Sequence, residues 1–323
     1  MTIEPNWPKD RIVAHIRELP IWQARPAIEP LVGGLQNPAF IVTDGEKKYV
    51  ARVGFDLPHL GTLQSSVVTS MRAAAELGVS PALRYAEGCL TVIDFIDGRS
   101  FTEEDIHERE TLSRIVAVLK RLHAGAKAVR DPVNFFWPFV AVRNLAHYGL
   151  ETESPHKSTI PPLLEIIDRL ERAVAPFTPV FAHNDLAHVN MMADRNGRIW
   201  FIDWDYGAFG HPLWDVAEML GYALSDEELD RDAIELYLGG LSEREMTRRL
   251  HEHRAFQLVS YLRQYFFCIL QEQKGSRRAD DVEESMGVVF PGEEDASYSG
   301  FRKIAKERFD RLWARHGENY MAG

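Results

Sequence analysis

The sequence has only two cysteines among its 323 residues. Cys89 and Cys268 lie far apart inside apolar stretches, so a disulfide framework like that of small secreted domains is excluded. No run approaches the roughly 18 consecutive apolar residues of a membrane-spanning helix. The first ten residues, MTIEPNWPKD, contain no apolar signal-peptide core. We therefore expect a cytoplasmic protein with no membrane partner.

Basic residues are also scarce. Acidic side chains outnumber them 48 to 37, which gives a formal net charge of −11, and no Lys/Arg run exceeds a pair. This composition argues against nucleic acid as a partner. The apolar fraction of 45% is that of a globular protein, and the length suffices for one large or two modest domains. We find no internal repeat.

The first part of the chain predicts a small β-rich lobe. Residues 40–43 and 48–53 are rich in β-formers and are joined through Asp44-Gly45, which is typical of a hairpin turn. A segment with helical spacing follows, GTLQSSVVTSMRAAAELGV, and then a second strand pair that bends at Glu87-Gly88. We predict one lobe over residues 1–96, with a single main helix.

From residue 97 onward the pattern becomes helical. Thr102 is a predicted helix cap, because acids follow it directly and apolar residues then recur at helical spacing. Further helices are predicted at residues 161–174, 212–224, 226–238, 243–273 and 301–316. The expected fold class is α+β, with a small antiparallel β lobe and a larger helical lobe over residues 97–323.

One polar hairpin interrupts these helices, in the segment FAHNDLAHVNMMADRNGRIWFIDWDYG. Its short apolar runs, at residues 180–182, 189–193 and 199–202, read as strands, and Asn196-Gly197 supplies a turn between the last two. The polar residues of interest lie before the hairpin or just after its second strand: His183, Asp185, Asn190, Asp203 and Asp205. They are expected to meet at one end of it. Carboxylates gathered there repel each other unless a cation lies between them, and Mg²⁺ prefers oxygen ligands of this kind.

The spacing of these residues is specific. His183 stands two residues before Asp185, and Asn190 follows five residues after Asp185. This HxDxxxxN pattern, followed by an Asp, resembles the catalytic loop and the metal-binding Asp of protein kinases. The set HND, N, IDWDYG and PLWD resembles more closely the aminoglycoside phosphotransferase and choline/ethanolamine kinase superfamily, nearest to bacterial choline/ethanolamine kinase-like proteins. The resemblance covers about residues 31 to 314.

The resemblance implies a bilobal, protein-kinase-like fold and an ATP-dependent kinase that uses Mg²⁺. It implies roles by position: Asp185 as the base that accepts the hydroxyl proton, His183 as support of the loop, Asn190 and Asp203 as magnesium ligands, Asp205 as an aid to a second ion, and Asp215 as a tether of the catalytic loop. The implied partners are a nucleotide and a small-molecule acceptor, and a homodimer is left open.

The same resemblance implies a nucleotide site in the small lobe. Gly33, Gly34 and Asn37 in GGLQNPAF match a turn that approaches phosphates, Arg52 matches the basic strand residue, and Phe95 and Ile96 in IDFIDG match the segment that clasps adenine. One departure concerns the acid that usually pairs with the basic residue. The first acid late in the small-lobe helix is Glu76, so Arg52 is expected to act without that partner.

A second departure concerns the acceptor. Choline kinases place an acid seven residues after the position of Asp215, where this chain has Tyr222, and they use tryptophans as a cation cage. The matching segment here, LRQYFFCILQ, offers Arg263, Tyr265 and Phe267. A choline- or ethanolamine-like acceptor is the nearest expectation, and an aminoglycoside or another amino alcohol or sugar is the alternative.

Two other hypotheses compete with this one. His183, Asp185 and His188, with Asp203 or His211, are residue types that bind zinc for hydrolysis, although the surplus of Asn argues against it. The second hypothesis is a nucleotide-binding pseudokinase that acts through a partner. The reason for it is that the small-lobe helix lacks the Glu that usually pairs with the basic strand residue.

Overall fold

An antiparallel sheet of five strands forms the first lobe. The computed structural model describes residues 3–4, 7–31, 38–273 and 297–321. The strands are β1 (Ala27–Pro30), β2 (Ala39–Asp44), β3 (Lys47–Val53), β4 (Leu83–Glu87) and β5 (Leu90–Asp94), in the order β1-β2-β3-β5-β4. The β2–β3 hairpin turns at Gly45, whose φ of +62° is in the left-handed region that glycine enters without strain.

Two helices accompany this sheet. Helix α1 (Lys9–Arg17) buries Ile12 and Ile16 in a cluster with apolar residues of β2, β3 and β5. Helix α2 (Gln64–Glu76) lies between the lobes, where its apolar side chains pack with residues of the second lobe. The sheet is therefore covered on one side by a helix and linked to the rest of the protein by another.

The second lobe is mostly helical. Its helices are α3 (Glu103–His107), α4 (Arg109–His123), α5 (Pro138–Glu151), α6 (Ile160–Arg172), α7 (Pro212–Tyr222), α8 (Glu227–Leu238), α9 (Glu243–Gln273) and α10 (Tyr298–His316). Helix α9 packs against α5, α7 and α10, so its apolar residues lie at the centre of the lobe. The α+β fold with a small antiparallel lobe and a larger helical lobe, predicted from the sequence, is confirmed.

Two small sheets carry the polar hairpin. Strand β7 (Val180–Ala182) pairs with β10 (Ala208–Gly210). Strands β6 (Gly98–Ser100), β8 (Met191–Asp194) and β9 (Ile199–Phe201) form a sheet in the order β6-β8-β9. Since β6 follows β5 closely in the chain, the segment between the lobes is attached to the same hairpin that presents the polar residues.

Several elements differ from the sequence-based expectation. Helices α1 and α5 were not predicted, because α1 is short and polar and α5 mixes β-branched and aromatic residues that lower helix propensity. The strand expected over residues 189–193 begins only at Met191, since residues 188–190 form a 3₁₀ turn. The helices that were predicted are present within a few residues of their expected bounds. The predicted cap is also present, since Thr102 and Asp105 form a reciprocal capping box at the start of α3. Among the residues described, no helix combines the length and apolar character needed to cross a membrane.

Candidate active site

A buried aspartate fixes the loop that follows β7. Asp215, in the first turn of α7, accepts hydrogen bonds from the backbone N–H of His183 at 2.9 Å and from that of Asn184 at 2.7 Å. Asn184 has a φ of 63°, a left-handed conformation that needs such support. The His183 ring donates through Nε2 to the carbonyl of Ile202 at 2.8 Å, which ties the loop to the end of β9. The two residues directly before Asp185 are thus held in place by α7 and by the end of β9.

The charge of Asp215 has a partner of its own. His123 Nε2 lies 3.0 Å from Asp215 Oδ2, and the Tyr237 hydroxyl is 2.6 Å from His123 Nδ1. Burial alone would raise the pKa of Asp215, but the hydrogen bond and charge of His123 outweigh it, and the pKa lies below its usual value. His123, which is buried, therefore supports the loop through Asp215.

Asp185 and Asn190 lie side by side. The Asn190 amide nitrogen donates to the Asp185 carbonyl at 2.9 Å and lies 3.4 Å from Asp185 Oδ2. The backbone N–H of Ile202 donates to the Asn190 carbonyl at 2.9 Å. This bond holds Asp203, the next residue along the chain, close to Asn190. The structure thus brings together the residues whose spacing predicted a catalytic loop and a metal ligand.

Arg263 and Glu218 complete the surroundings of Asp185. Arg263 Nη1 donates to Asp185 Oδ1 at 3.0 Å and to Glu218 Oε1 at 2.9 Å, and Glu218 Oε2 accepts from the backbone N–H of Leu186 at 3.2 Å. Burial raises the pKa of Glu218 well above its usual value, against the lowering effect of Arg263. Glu218 was not predicted from the sequence as a site residue. The available signal was an acid within the apolar helix segment PLWDVAEML, since a buried carboxylate requires a partner.

Arg52 finds its acid partner in the second lobe. Its guanidinium donates to both carboxylate oxygens of Asp205, at 2.8 and 2.6 Å, and lies 3.2 Å from Asp203 Oδ1. Glu76 instead pairs with Arg130 at 2.6 Å on the surface. Glu76 therefore does not pair with Arg52, as expected, but the sequence did not predict that Asp205 of the second lobe takes the place of that acid. Asp205 provides a two-pronged contact, the geometry that arginine favours.

Asn190 and Asp203 fit a magnesium ion. Asn190 donates to Asp185 through its amide nitrogen, which leaves the amide oxygen as the ligand atom. Desolvation, together with the charges of Asp205 and Asp185, raises the pKa of Asp203 to about 6 despite Arg52, although its side chain is 42% exposed and water offsets part of the shift. Crowded carboxylates of this kind are stabilised by a cation. Within the described ranges no group of three or more His, Cys, Asp or Glu side chains is arranged to hold a metal ion.

The zinc hypothesis finds no support in the positions of the histidines. His183 is directed at the Ile202 carbonyl. His211 caps α7 by accepting from the Leu213 N–H and lies 3.4 Å from Glu252. Burial lowers the pKa of His188 to about 4, and its ring contacts Tyr222. The three histidine rings therefore contact different groups and do not face one common metal position.

The predicted nucleotide residues are only partly described. Gly33, Gly34 and Asn37 lie outside the described residues. Phe95 and Ile96 follow β5 directly, and the Phe95 N–H donates to the Lys48 carbonyl at 3.1 Å. The carbonyl of the next residue, Asp97, accepts from the Arg195 N–H at 3.0 Å.

The predicted acceptor residues separate into two groups. Arg263 contacts Asp185. Burial, together with the charges of Asp185 and Glu218, raises the pKa of Tyr222 well above its usual value, and the Tyr222 ring contacts His188. Tyr265 is buried and shares a hydrogen bond with the Thr159 hydroxyl, and Phe267 packs against Tyr298. The contacts of these last two rings do not involve Asp185.

Comparison with known proteins identifies the family of this chain. Residues 27–254 match the phosphotransferase enzyme family. The protein LicA of Haemophilus influenzae is 22% identical over 273 residues, which cover 80% of this chain and 78% of LicA. The crystal structure of a choline kinase from Cryptosporidium parvum Iowa II has a TM-score of 0.70 at 18% identity and covers 96% of each chain. A spectinomycin phosphotransferase, solved with ADP and spectinomycin, has a TM-score of 0.57 at 12% identity over 94% of this chain and 100% of its own.

The fold is thus kinase-like, with choline/ethanolamine kinases and aminoglycoside phosphotransferases among its structural neighbours. The match to the family covers more than half of the chain and includes the polar hairpin and Asp215. The suspected superfamily is confirmed. This chain is therefore a kinase and belongs to the phosphotransferase enzyme family.

Proposed function

We propose that this kinase transfers the γ-phosphoryl group of ATP to a hydroxyl group of a small, amine-bearing metabolite, of the class that includes choline, ethanolamine and amino sugars. One observation carries the proposal. Asn190 donates to the Asp185 carbonyl, and the N–H of Ile202, the residue before Asp203, donates to the Asn190 carbonyl, so Asp185, Asn190 and Asp203 lie together at the end of one hairpin. A hydroxyl-directed carboxylate beside two oxygen ligands for Mg²⁺ is the set of groups that phosphoryl transfer requires.

The residues of the chain have separable tasks in this proposal. Asp185 accepts the proton of the acceptor hydroxyl and orients that oxygen. Asn190 and Asp203 hold the magnesium ion, which neutralises phosphate charge. Arg52, anchored on Asp205, faces the nucleotide phosphates, with Gly33, Gly34 and Asn37 as further contacts, while Phe95 and Ile96 contact adenine. Positioning and charge neutralisation supply most of the catalysis, because the loose transition state needs little covalent chemistry from the protein.

Two arguments support an amine-bearing acceptor. Relatives are named LicA and choline kinase, and a neighbour that binds ADP also binds spectinomycin. Carboxylates at the site, from Asp185, Asp203, Asp205 and Glu218, outnumber the guanidinium groups of Arg52 and Arg263. An excess of negative charge attracts a cationic acceptor.

We also propose that the two lobes divide at residue 96. A cytosolic location is part of the same proposal, because it suits the buried free thiols of Cys89 and Cys268.

ADP release tests the proposal directly. Purified protein with ATP and Mg²⁺ is mixed with choline, ethanolamine, amino sugars and aminoglycosides. We expect ADP above the acceptor-free rate with at least one of them, and none when magnesium is chelated. If ATP binds but no acceptor releases ADP, the pseudokinase alternative replaces this proposal. The contact between Arg52 and Asp205 weakens the original motive for that alternative, because it supplies the missing acid partner.

The role of Arg52 gives a separate prediction. Arg52→Gln should weaken ATP binding by about 10- to 100-fold, the size expected for losing charged hydrogen bonds of about 1.5–3 kcal/mol. Titration calorimetry with a non-hydrolysable ATP analogue measures this. Arg84→Gln is the matched control, because Arg84 lies on β4 of the same sheet and pairs with Asp94 at the surface. Equal binding by Arg52→Gln and the wild type would refute the phosphate contact.

A further inference from the structure

The guanidinium group of Arg263 occupies the space beside the proposed base. Its Nη1 atom contacts Asp185 at 3.0 Å and Glu218 at 2.9 Å. Its central carbon lies 4.3 Å from the ring centre of Tyr206 and 5.5 Å from that of Phe136. The side chain is only 10% exposed. Two carboxylates and two aromatic rings therefore surround one cation that belongs to the protein.

These are the groups with which a protein would bind a small ammonium ion. Carboxylates attract its charge, and aromatic faces stabilise it through their quadrupoles. Here both kinds of group are already in contact with Arg263. Glu218, which is fully buried, is a permanent partner, because removing the guanidinium would leave its carboxylate without a countercharge.

The position of the base limits where an acceptor can carry its charge. The reacting hydroxyl must lie within hydrogen-bond reach of the Asp185 carboxylate. In choline and ethanolamine the ammonium group is two carbons from that hydroxyl. Such a cation would come close to the Arg263 guanidinium, and like charges at short distance repel each other.

We propose that Arg263 fills the cation subsite next to Asp185, so that the acceptor carries its amine several bonds away from the reacting hydroxyl, as an amino sugar or a longer amino alcohol does. This inference rests on the proposed function for the role of Asp185. It makes Arg263 a specificity-determining residue that excludes compact ammonium alcohols.

The wild-type enzyme tests the proposal with a series of linear amino alcohols. Ethanolamine, 3-aminopropanol, 5-aminopentanol and 6-aminohexanol differ only in the distance between amine and hydroxyl, and choline adds a quaternary amine. We expect kcat/KM to rise at least tenfold from ethanolamine to the longer alcohols. Ethanolamine or choline as the best acceptor would overturn the proposal.

A binding experiment tests the same subsite without ATP or turnover. Arg263→Ala should bind tetramethylammonium at least tenfold more tightly than the wild type by titration calorimetry, and the further change Glu218→Gln should remove this gain. Arg302→Ala is the matched control, because Arg302 is 11% exposed and pairs with Glu272 at 2.8 Å outside the site. A folded Arg263→Ala variant with no gain refutes the proposal.

The wild type provides an independent check if Arg263→Ala fails to fold, as judged by thermal unfolding. Tetramethylammonium that already binds the wild type and no longer binds Glu218→Gln would show an open cation subsite and overturn the proposal, whereas absence of binding to the wild type supports it. These measurements also separate two failures. A protein that releases no ADP with any acceptor contradicts the proposed function, while the tetramethylammonium result bears only on Arg263.

Discussion

We expect Asp185→Asn to lower kcat by about 10²- to 10⁴-fold, the range attributed to a positioned general base. Asn has nearly the same shape and can still accept a hydrogen bond from Arg263, but its amide cannot take the hydroxyl proton. Nucleotide binding should change little, because Asn190, Asp203 and Arg52 are untouched. Steady-state kinetics measures kcat, and calorimetry with an ATP analogue measures nucleotide affinity.

The control for this variant is Asp168→Asn. Asp168 is 57% exposed and pairs with Arg143 on the outside of the helical lobe, so its replacement should leave kcat within about twofold, as expected for an exposed ion pair. If Asp185→Asn loses ATP binding as strongly as turnover, the carboxylate acts in nucleotide binding and the assignment as the base is wrong.

The second large effect is on folding. Asp215→Ala removes the acceptor of two backbone N–H groups and the partner of His123 in a fully buried place. Breaking such a buried polar network typically costs about 3–5 kcal/mol. At about 2–4 °C per kcal/mol for a chain of 150–250 residues or more, the melting temperature should fall by roughly 10 °C. Thermal unfolding followed by circular dichroism measures the shift.

Asp215→Asn separates the tether from the fold. Its side-chain oxygen can accept one of the two backbone hydrogen bonds, so it should lose less stability than Asp215→Ala. Amide hydrogen exchange should then report faster exchange at His183 and Asn184, the two N–H groups that Asp215 binds. Unchanged exchange at these amides, with an unchanged melting temperature in Asp215→Ala, would contradict the tether.

The proposed catalytic loop could be recognised in the sequence because its residues are close together in the chain. His183, Asp185 and Asn190 fall within eight residues, and the turn at Asn196-Gly197 folds Asp203 back beside them. Fixed separations within one hairpin are readable without a structure. Most strands and most helices were readable for the same reason, since hydrophobic spacing is a property of neighbouring residues, whereas the short strands β1, β6 and β10 were not predicted.

The missed contacts join distant parts of the chain. Arg52 and Asp205 are 153 positions apart, so no spacing rule links them. Glu218 was overlooked because its role depends on its ion pair with Arg263, and Arg263 lies on a different helix. The directions of Tyr265 and Phe267 depend on how α9 is rotated in the core, and the structure turns their contacts toward Thr159 and Tyr298. Tertiary packing decides these features, and a single sequence does not encode them in local patterns.

The attachment of β6 to the polar hairpin affects how the lobes can move relative to each other. Phe95 is bonded to β3 through Lys48, and Asp97 is bonded to Arg195 of the hairpin. Gly98 lies so close to the hairpin that an added Cβ would stand 2.1 Å from the Ala193 carbonyl oxygen. Ile96 therefore lies between two hydrogen-bonded points, and a rotation of the lobes at this segment would change its backbone torsions. A nucleotide that contacts Ile96, as proposed above, would restrict these torsions, so its release would restore the freedom of the segment between the lobes.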